Sequence, residues 1–204
     1  MPAGIILAGG LARRMGGRDK AILKLGGVAL ADHVIVALKP QCAALVISAN
    51  GDPARFAETR LPVIADTLPG YLGPLAGILS ALDWMAEHET GVELAVSAPA
   101  DTPFLPLDLA ARLEEARAET CAVLSCASSG GRRHPLVALW PVAIRQDLRR
   151  ALVEEGLRKV EAFLQRHICV FVEWPVEPLD PFFNINTPSD LAKAEGILGR
   201  RGGR

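Results

Sequence analysis

Short, nearly continuous apolar runs rich in β-branched residues recur along the chain, at residues 4–8, 43–49, 61–65, 92–98, 121–126, 135–139 and 168–172. Such runs predict strands buried on both faces, because a strand with one wet face alternates apolar and polar positions instead. Between them, residues 29–38, 74–87, 107–118, 142–154 and 189–198 carry apolar positions at helical spacing. Strands alternating with helices predict an α/β fold, a mainly parallel sheet covered by helices on both faces. The stretch Asn186-Thr187-Pro188-Ser189-Asp190 marks the start of the last helix, with Thr187 or Ser189 as cap and Pro188 in or just before the first turn. No internal repeat and no Pro- or Ser-rich linker divides the chain. Residues 1–198 are therefore expected to form one domain, and 199–204, GRRGGR, a frayed and solvated tail.

Composition narrows the class. Half of the 204 residues are hydrophobic and 22% are charged, which suits a single well-buried core. A formal net charge of −1 gives no global pull towards nucleic acid or an anionic membrane, so any basic site has to be local. Polar residues interrupt every apolar run well short of the roughly 18 residues that a membrane span needs. The first apolar stretch precedes Arg13-Arg14, the reverse of an export signal. Cys42, Cys121, Cys126 and Cys169 form no C-x-x-C pair and sit mostly in apolar segments, as reduced core thiols do. These features predict a cytoplasmic protein with neither a nucleic-acid nor a membrane partner; the sequence carries no signal for oligomeric state, and a monomer is the default expectation.

The candidate chemistry begins at residues 7–20, LAGGLARRMGGRDK, directly after the first predicted strand. Doubly wound sheets bind phosphates at this place, outside the carboxyl ends of their strands. The glycines match neither G-x-x-x-x-G-K-[ST] nor G-x-G-x-x-G, which disfavours a P-loop NTPase or a dinucleotide enzyme. Backbone N–H groups in such a loop can still cradle phosphates, with Arg14 and Lys20 neutralising them. An ordinary strand-to-helix turn with surface arginines is the competing reading. Asp66 and Asp101 each follow a predicted strand on the same sheet edge. Asp101, stiffly held between Pro99 and Pro103, suits a Mg²⁺ ion that takes one or two carboxylates and completes its shell with water and phosphate. Alternatively, Asp101 caps the helix beginning near residues 105–107, a role that also fits Asp108. His134 is either a general base or a packing residue, and His33, His88 and His167 lack partners at metal-ligand spacing. With no G-x-S-x-G and no base beside a cysteine, covalent catalysis has no support.

The motifs LAGG…RRMG…DK, VIADTLPGYLGPLAGILSAL, PADTPFLP, RRHPLVAL and FNINTPSDL, in this order over nearly the whole chain, closely resemble the molybdenum cofactor guanylyltransferases. The resemblance implies a single-domain nucleotidyltransferase fold, a Rossmann-like three-layer sandwich. It implies transfer of GMP from GTP to the terminal phosphate of molybdenum-molybdopterin, with Mg²⁺ as cofactor. It further implies a nucleotide site of Leu7, Ala8, Gly9, Gly10, Lys20, Asn50, Asp66, Gly77 and Asp101, in which Lys20, Arg14 and Asp101 are catalytic and Asp101 holds the metal. Gly73, Pro74, Leu75 and Ala76 join Gly77 in the matching GPLAG segment. Related cytidylyltransferases look like LAAG, so Gly10 implies guanine over cytosine. Arg132, Arg133, Asn184 and Asn186 are the candidates for the molybdopterin phosphate and pterin. Ser48 departs from the related VVNAN pattern and cannot supply the two-sided pairing of an amide. Contact with delivery chaperones or apo-molybdoenzymes is a further implied expectation. The alternatives are a cytidylyl- or sugar-phosphate nucleotidylyltransferase of the same fold, and a non-catalytic GTP-binding cofactor carrier.

Overall fold

The computed structural model describes residues 1–9, 20–70, 72–89 and 91–202. Gly10 and Arg14 of the implied site lie outside the described residues. Strand β1 (Ala3–Leu7) occupies the middle of the main sheet. A single 3₁₀ turn (Lys20–Ile22) then leads into a small antiparallel hairpin, β2 (Lys24–Leu25) and β3 (Val28–Ala29). Gly26 and Gly27, at φ +58° and +82°, supply the two positive-φ residues that a tight hairpin with the natural strand twist requires. Helix α1 (Leu30–Leu38) returns the chain to β4 (Leu45–Ser48), and a 3₁₀ segment (Pro53–Thr59) leads to the edge strand β5 (Val63–Ile64). Helix α2 (Pro74–His88) crosses to β6 (Leu94–Pro99), followed by α3 (Leu109–Glu119), β7 (Leu124–Ser129) and β8 (Arg132–Pro141). Helices α4 (Arg145–Val153) and α5 (Val160–Leu164), strand β9 (Cys169–Trp174) and helix α6 (Pro188–Gly202) complete the order.

The main sheet has seven strands in the order β5-β4-β1-β6-β8-β7-β9. Among the described residues only β8 runs antiparallel to its neighbours, β6 and β7, so the sheet is mainly parallel as the apolar runs predict. Successive residues of each central strand enter opposite layers, as the twofold strand repeat demands. Ile5, Val46, Ala95 and Trp140 pack with α2, α4 and α5. Ile6, Ile47, Val96 and Leu139 pack with α1 and α3. Burial on both faces is the reason these strands read as unbroken apolar runs.

Three features differ from the sequence reading. The hairpin β2–β3 and helix α5 are additional elements, the first hidden because each strand has only two residues. Asp108 stands at the N-cap of α3 without a side-chain capping bond; its carboxylate accepts from Trp174 Nε1 at 3.1 Å instead. Helix α6 runs to Gly202, four residues beyond the boundary at 198. Its inner side joins Leu25, Leu30, Phe104, Ile185 and Ala194 in a small core of its own, separate from the two sheet layers. That core ties the β2–β3 hairpin to α6 and the segment before it.

Candidate active site

The chain passes from β1 to β4 on one side and, after β5, crosses by α2 to β6 on the other. The order therefore reverses at β1, and the divergence of the flanking connections opens a crevice above its carboxyl end. A cleft of about 470 Å³ lies there, lined among others by Leu7, Ala8 and Gly9 from the end of β1. Asn50 and Asp66 enter it from the segments after β4 and β5, Gly77 from the first turn of α2, and Asp101 from the turn after β6. Lys20, Asn184 and Asn186 line the same space. Residues spread over nearly the whole sequence converge because parallel strands deliver their carboxyl ends to one edge.

The polar groups fall into two linked sets. Lys20 Nζ donates to Asp101 Oδ2 at 3.2 Å and to Asn186 Oδ1 at 2.6 Å. Burial raises the Asp101 carboxyl above its ordinary range, while the Lys20 charge and bonds from Lys20, the backbone and Asn184 pull it back. Asp101 is fixed from both sides: Ala100 N donates to Leu7 O at 3.0 Å, and Ile185 N donates to Asp101 O at 2.9 Å. Asn184 Oδ1 is buried with no hydrogen-bond partner among the described residues, so a donor from a ligand would satisfy it. Across the cleft, Asn50 Nδ2 donates to Asp66 Oδ2 at 2.8 Å and Asp66 N donates to Asn50 Oδ1 at 2.9 Å, a reciprocal pair that orients both side chains. Arg55 Nη2 donates to Asn50 O at 2.7 Å. Ser48, only 3% exposed, lines the same cleft and stands against Gly77. A Cβ on Gly77 would lie 2.4 Å from Ser48 Oγ, so α2 approaches the end of β4 closely enough that any side chain here would displace the Ser48 hydroxyl.

The implied molybdopterin candidates separate. Asn184 and Asn186 line the cleft, whereas Arg132 and Arg133 do not. Both arginines open β8 on the same sheet edge, and the Arg133 guanidinium stacks 4.1 Å above the Phe171 ring. His134 belongs to a cluster the sequence could not assemble: its Nε2 lies 2.7 Å from Ser129 Oγ, which donates to Asp180 Oδ1 at 2.8 Å. The Phe182 ring lies 4.8 Å from the His134 ring. Burial pushes the Cys42 and Cys126 thiols up to about 12, which keeps them protonated and unreactive.

No three of the histidine, cysteine and carboxylate side chains among the described residues gather into an all-protein metal cage. Asp101 nevertheless fits a divalent ion that draws most of its shell from water and phosphate, being a carboxylate that lines the cleft and whose backbone is anchored by the Ile185 N–H. No helix among the described residues is long and apolar enough to cross a membrane.

A seven-stranded, mainly parallel sheet with helices on both faces, matching the structures of MobA-like nucleotidyltransferases, places the chain in the Rossmann-like nucleotidyltransferase class. The chain belongs to the MobA-like NTP transferase domain family, whose pattern matches residues 4–168. It is 57% identical to a protein of Rhodopseudomonas palustris strain HaA2 named molybdenum cofactor guanylyltransferase, over 98% of this chain and 93% of that one. A protein of the same name from Nitrobacter hamburgensis is 52% identical over 98% and 96% of the two chains. Among solved structures, molybdopterin-guanine dinucleotide biosynthesis protein A of Archaeoglobus fulgidus superposes with a TM-score of 0.75 at 28% identity, covering 98% of this chain and 100% of that one.

Proposed function

We propose that the protein transfers GMP from GTP to the terminal phosphate of molybdenum-molybdopterin, releasing pyrophosphate. The observation that carries the reading is the convergence of Lys20, Asp101, Asn50 and Asp66 on one cleft at the switch point of the sheet. An acceptor phosphate oxygen forms a bond to the α-phosphorus of GTP as the bond from that phosphorus to the bridging oxygen breaks. The acceptor is already anionic, so no protein nucleophile is needed, and catalysis consists of alignment and charge stabilisation. Lys20 supplies positive charge to the phosphate chain, assisted by Arg14. The backbone at Leu7, Ala8, Gly9 and Gly10 receives the guanine edge, with Asn50 and Asp66 completing the nucleotide contacts and Gly77 leaving room for them. Asp101 would hold Mg²⁺, which when bound neutralises triphosphate charge and favours departure of pyrophosphate.

Asn184 and Asn186 face the acceptor, and the partnerless Oδ1 of Asn184 suits a pterin N–H donor. Arg132 and Arg133, on the same edge of the sheet, serve the acceptor's anionic end. The protein acts in the cytoplasm as a monomer and passes its product to delivery chaperones or apo-molybdoenzymes. The test is Mg²⁺-dependent pyrophosphate release with molybdenum-molybdopterin, comparing GTP, CTP and ATP. Release with GTP alone is expected. Release with CTP would assign the chain to cytidylyl transfer, and GTP binding without pyrophosphate release would make it a carrier.

A further inference from the structure

Building on the nucleotide-site reading above, we infer that Asp190 is a positioning residue for Lys20, acting through Asn186. Asp190 lies in the first turn of α6, where Thr187 is the cap. Its Oδ2 accepts from Thr187 N at 2.9 Å and from Thr187 Oγ1 at 2.8 Å, while Thr187 Oγ1 accepts from Asp190 N at 3.2 Å. These contacts form a reciprocal capping box. The same carboxylate oxygen also accepts from Asn186 N at 3.1 Å. A helix cap does not need that bond, since Asn186 lies outside the helix, before the cap.

The consequence appears one side chain further on. Among the described residues, Asn186 Oδ1 is the nearer of the two acceptors of Lys20 Nζ, at 2.6 Å against 3.2 Å for Asp101 Oδ2. Ile185, fully buried and bonded through its N–H to Asp101 O, fixes the chain immediately before Asn186. Asp190 fixes the chain on the other side. With its backbone held at both ends, Asn186 presents its carbonyl at one place and draws the ammonium partly away from Asp101. Lys20 is thereby aimed into the cleft rather than closed onto the carboxylate as a simple ion pair.

The experiment measures GTP affinity by titration calorimetry, without acceptor, on wild type, Asp190→Ala, Lys20→Met, the double variant and Thr187→Ala, alongside melting temperatures. Asp190→Ala should raise the GTP Kd about tenfold in the wild-type background and less than about twofold when Lys20 is already Met, the non-additivity expected of residues in one network. Thr187→Ala removes half of the capping box but leaves the Asn186 bond, so its Kd should stay within about twofold of wild type. Equal factors for Asp190→Ala in both backgrounds, an unchanged Kd, or a Thr187→Ala Kd as weak as that of Asp190→Ala would each overturn the inference. Should Asp190→Ala not fold, Asp190→Glu takes its place in the cycle with the same non-additivity expected, because glutamate retains a capping box while displacing the carboxylate. Wild type failing to bind GTP would sink the nucleotide reading itself, an outcome distinct from all of these.

Discussion

Replacing Gly77 with alanine tests how closely α2 is seated on the end of β4. The added Cβ would lie 2.4 Å from Ser48 Oγ and 3.5 Å from both Ser48 Cβ and Asp66 Oδ1. Only the first contact is far inside the roughly 3.5–4 Å optimum for packed atoms. Inserting a methyl into such a site costs about 1–3 kcal/mol. Alanine gains about 1 kcal/mol over glycine within a helix. Gly77→Ala should therefore destabilise the protein by roughly 0–2 kcal/mol, and weaken GTP binding because Gly77, Ser48 and Asp66 all line the cleft. Ser48→Ala removes the clashing oxygen and leaves the methyl an ordinary contact with the remaining Cβ. The double variant should be about 1–2 kcal/mol more stable than the sum of the single changes predicts, within the range of couplings seen for touching residues. Urea unfolding of wild type, both single variants and the double variant measures this coupling, and GTP titrations of the same four proteins follow the site. Additive effects, within about 0.5 kcal/mol, would refute the steric account.

Two other perturbations separate function from stability. Asp101→Asn should cut turnover by about a hundredfold or more, the scale of losing one electrostatic stabiliser. In the ligand-free protein it should raise the melting temperature at neutral pH, because burial disfavours the charged carboxylate more than Lys20 compensates; wild-type turnover, or a lower melting temperature, would contradict this. Burial holds His134 below its ordinary imidazole range, opposed by Asp180 and Glu173 and assisted by Arg132. The unfolded chain therefore binds that proton more readily, and its contribution to stability, full above about pH 6.5, is lost as pH falls through the lowered native value. His134→Gln should flatten that part of the acid limb of a stability-against-pH curve, and an unaltered slope would remove His134 as its source.

The sequence by itself determined the sheet. Unbroken runs such as those containing Ile5-Ile6 and Val46-Ile47 can be buried only between two helical layers, and each is a strand facing both. It also located the strand ends that carry Asp66 and Asp101, because chemistry at the carboxyl edge follows from parallel order. Tertiary structure decided what the local pattern could not encode. Lys20 meets Asn186 across 166 positions only because the small core around Leu25 and Ile185 draws the hairpin and α6 together. Ser48 and Gly77 acquire meaning only where helix and strand ends touch, and Ser129, His134 and Asp180 become a cluster only when β7, β8 and the chain before α6 share an edge. Hydrophobic periodicity records which face of an element is buried; which distant side chains then meet depends on layer order and on loops whose conformation leaves no repeat in the sequence.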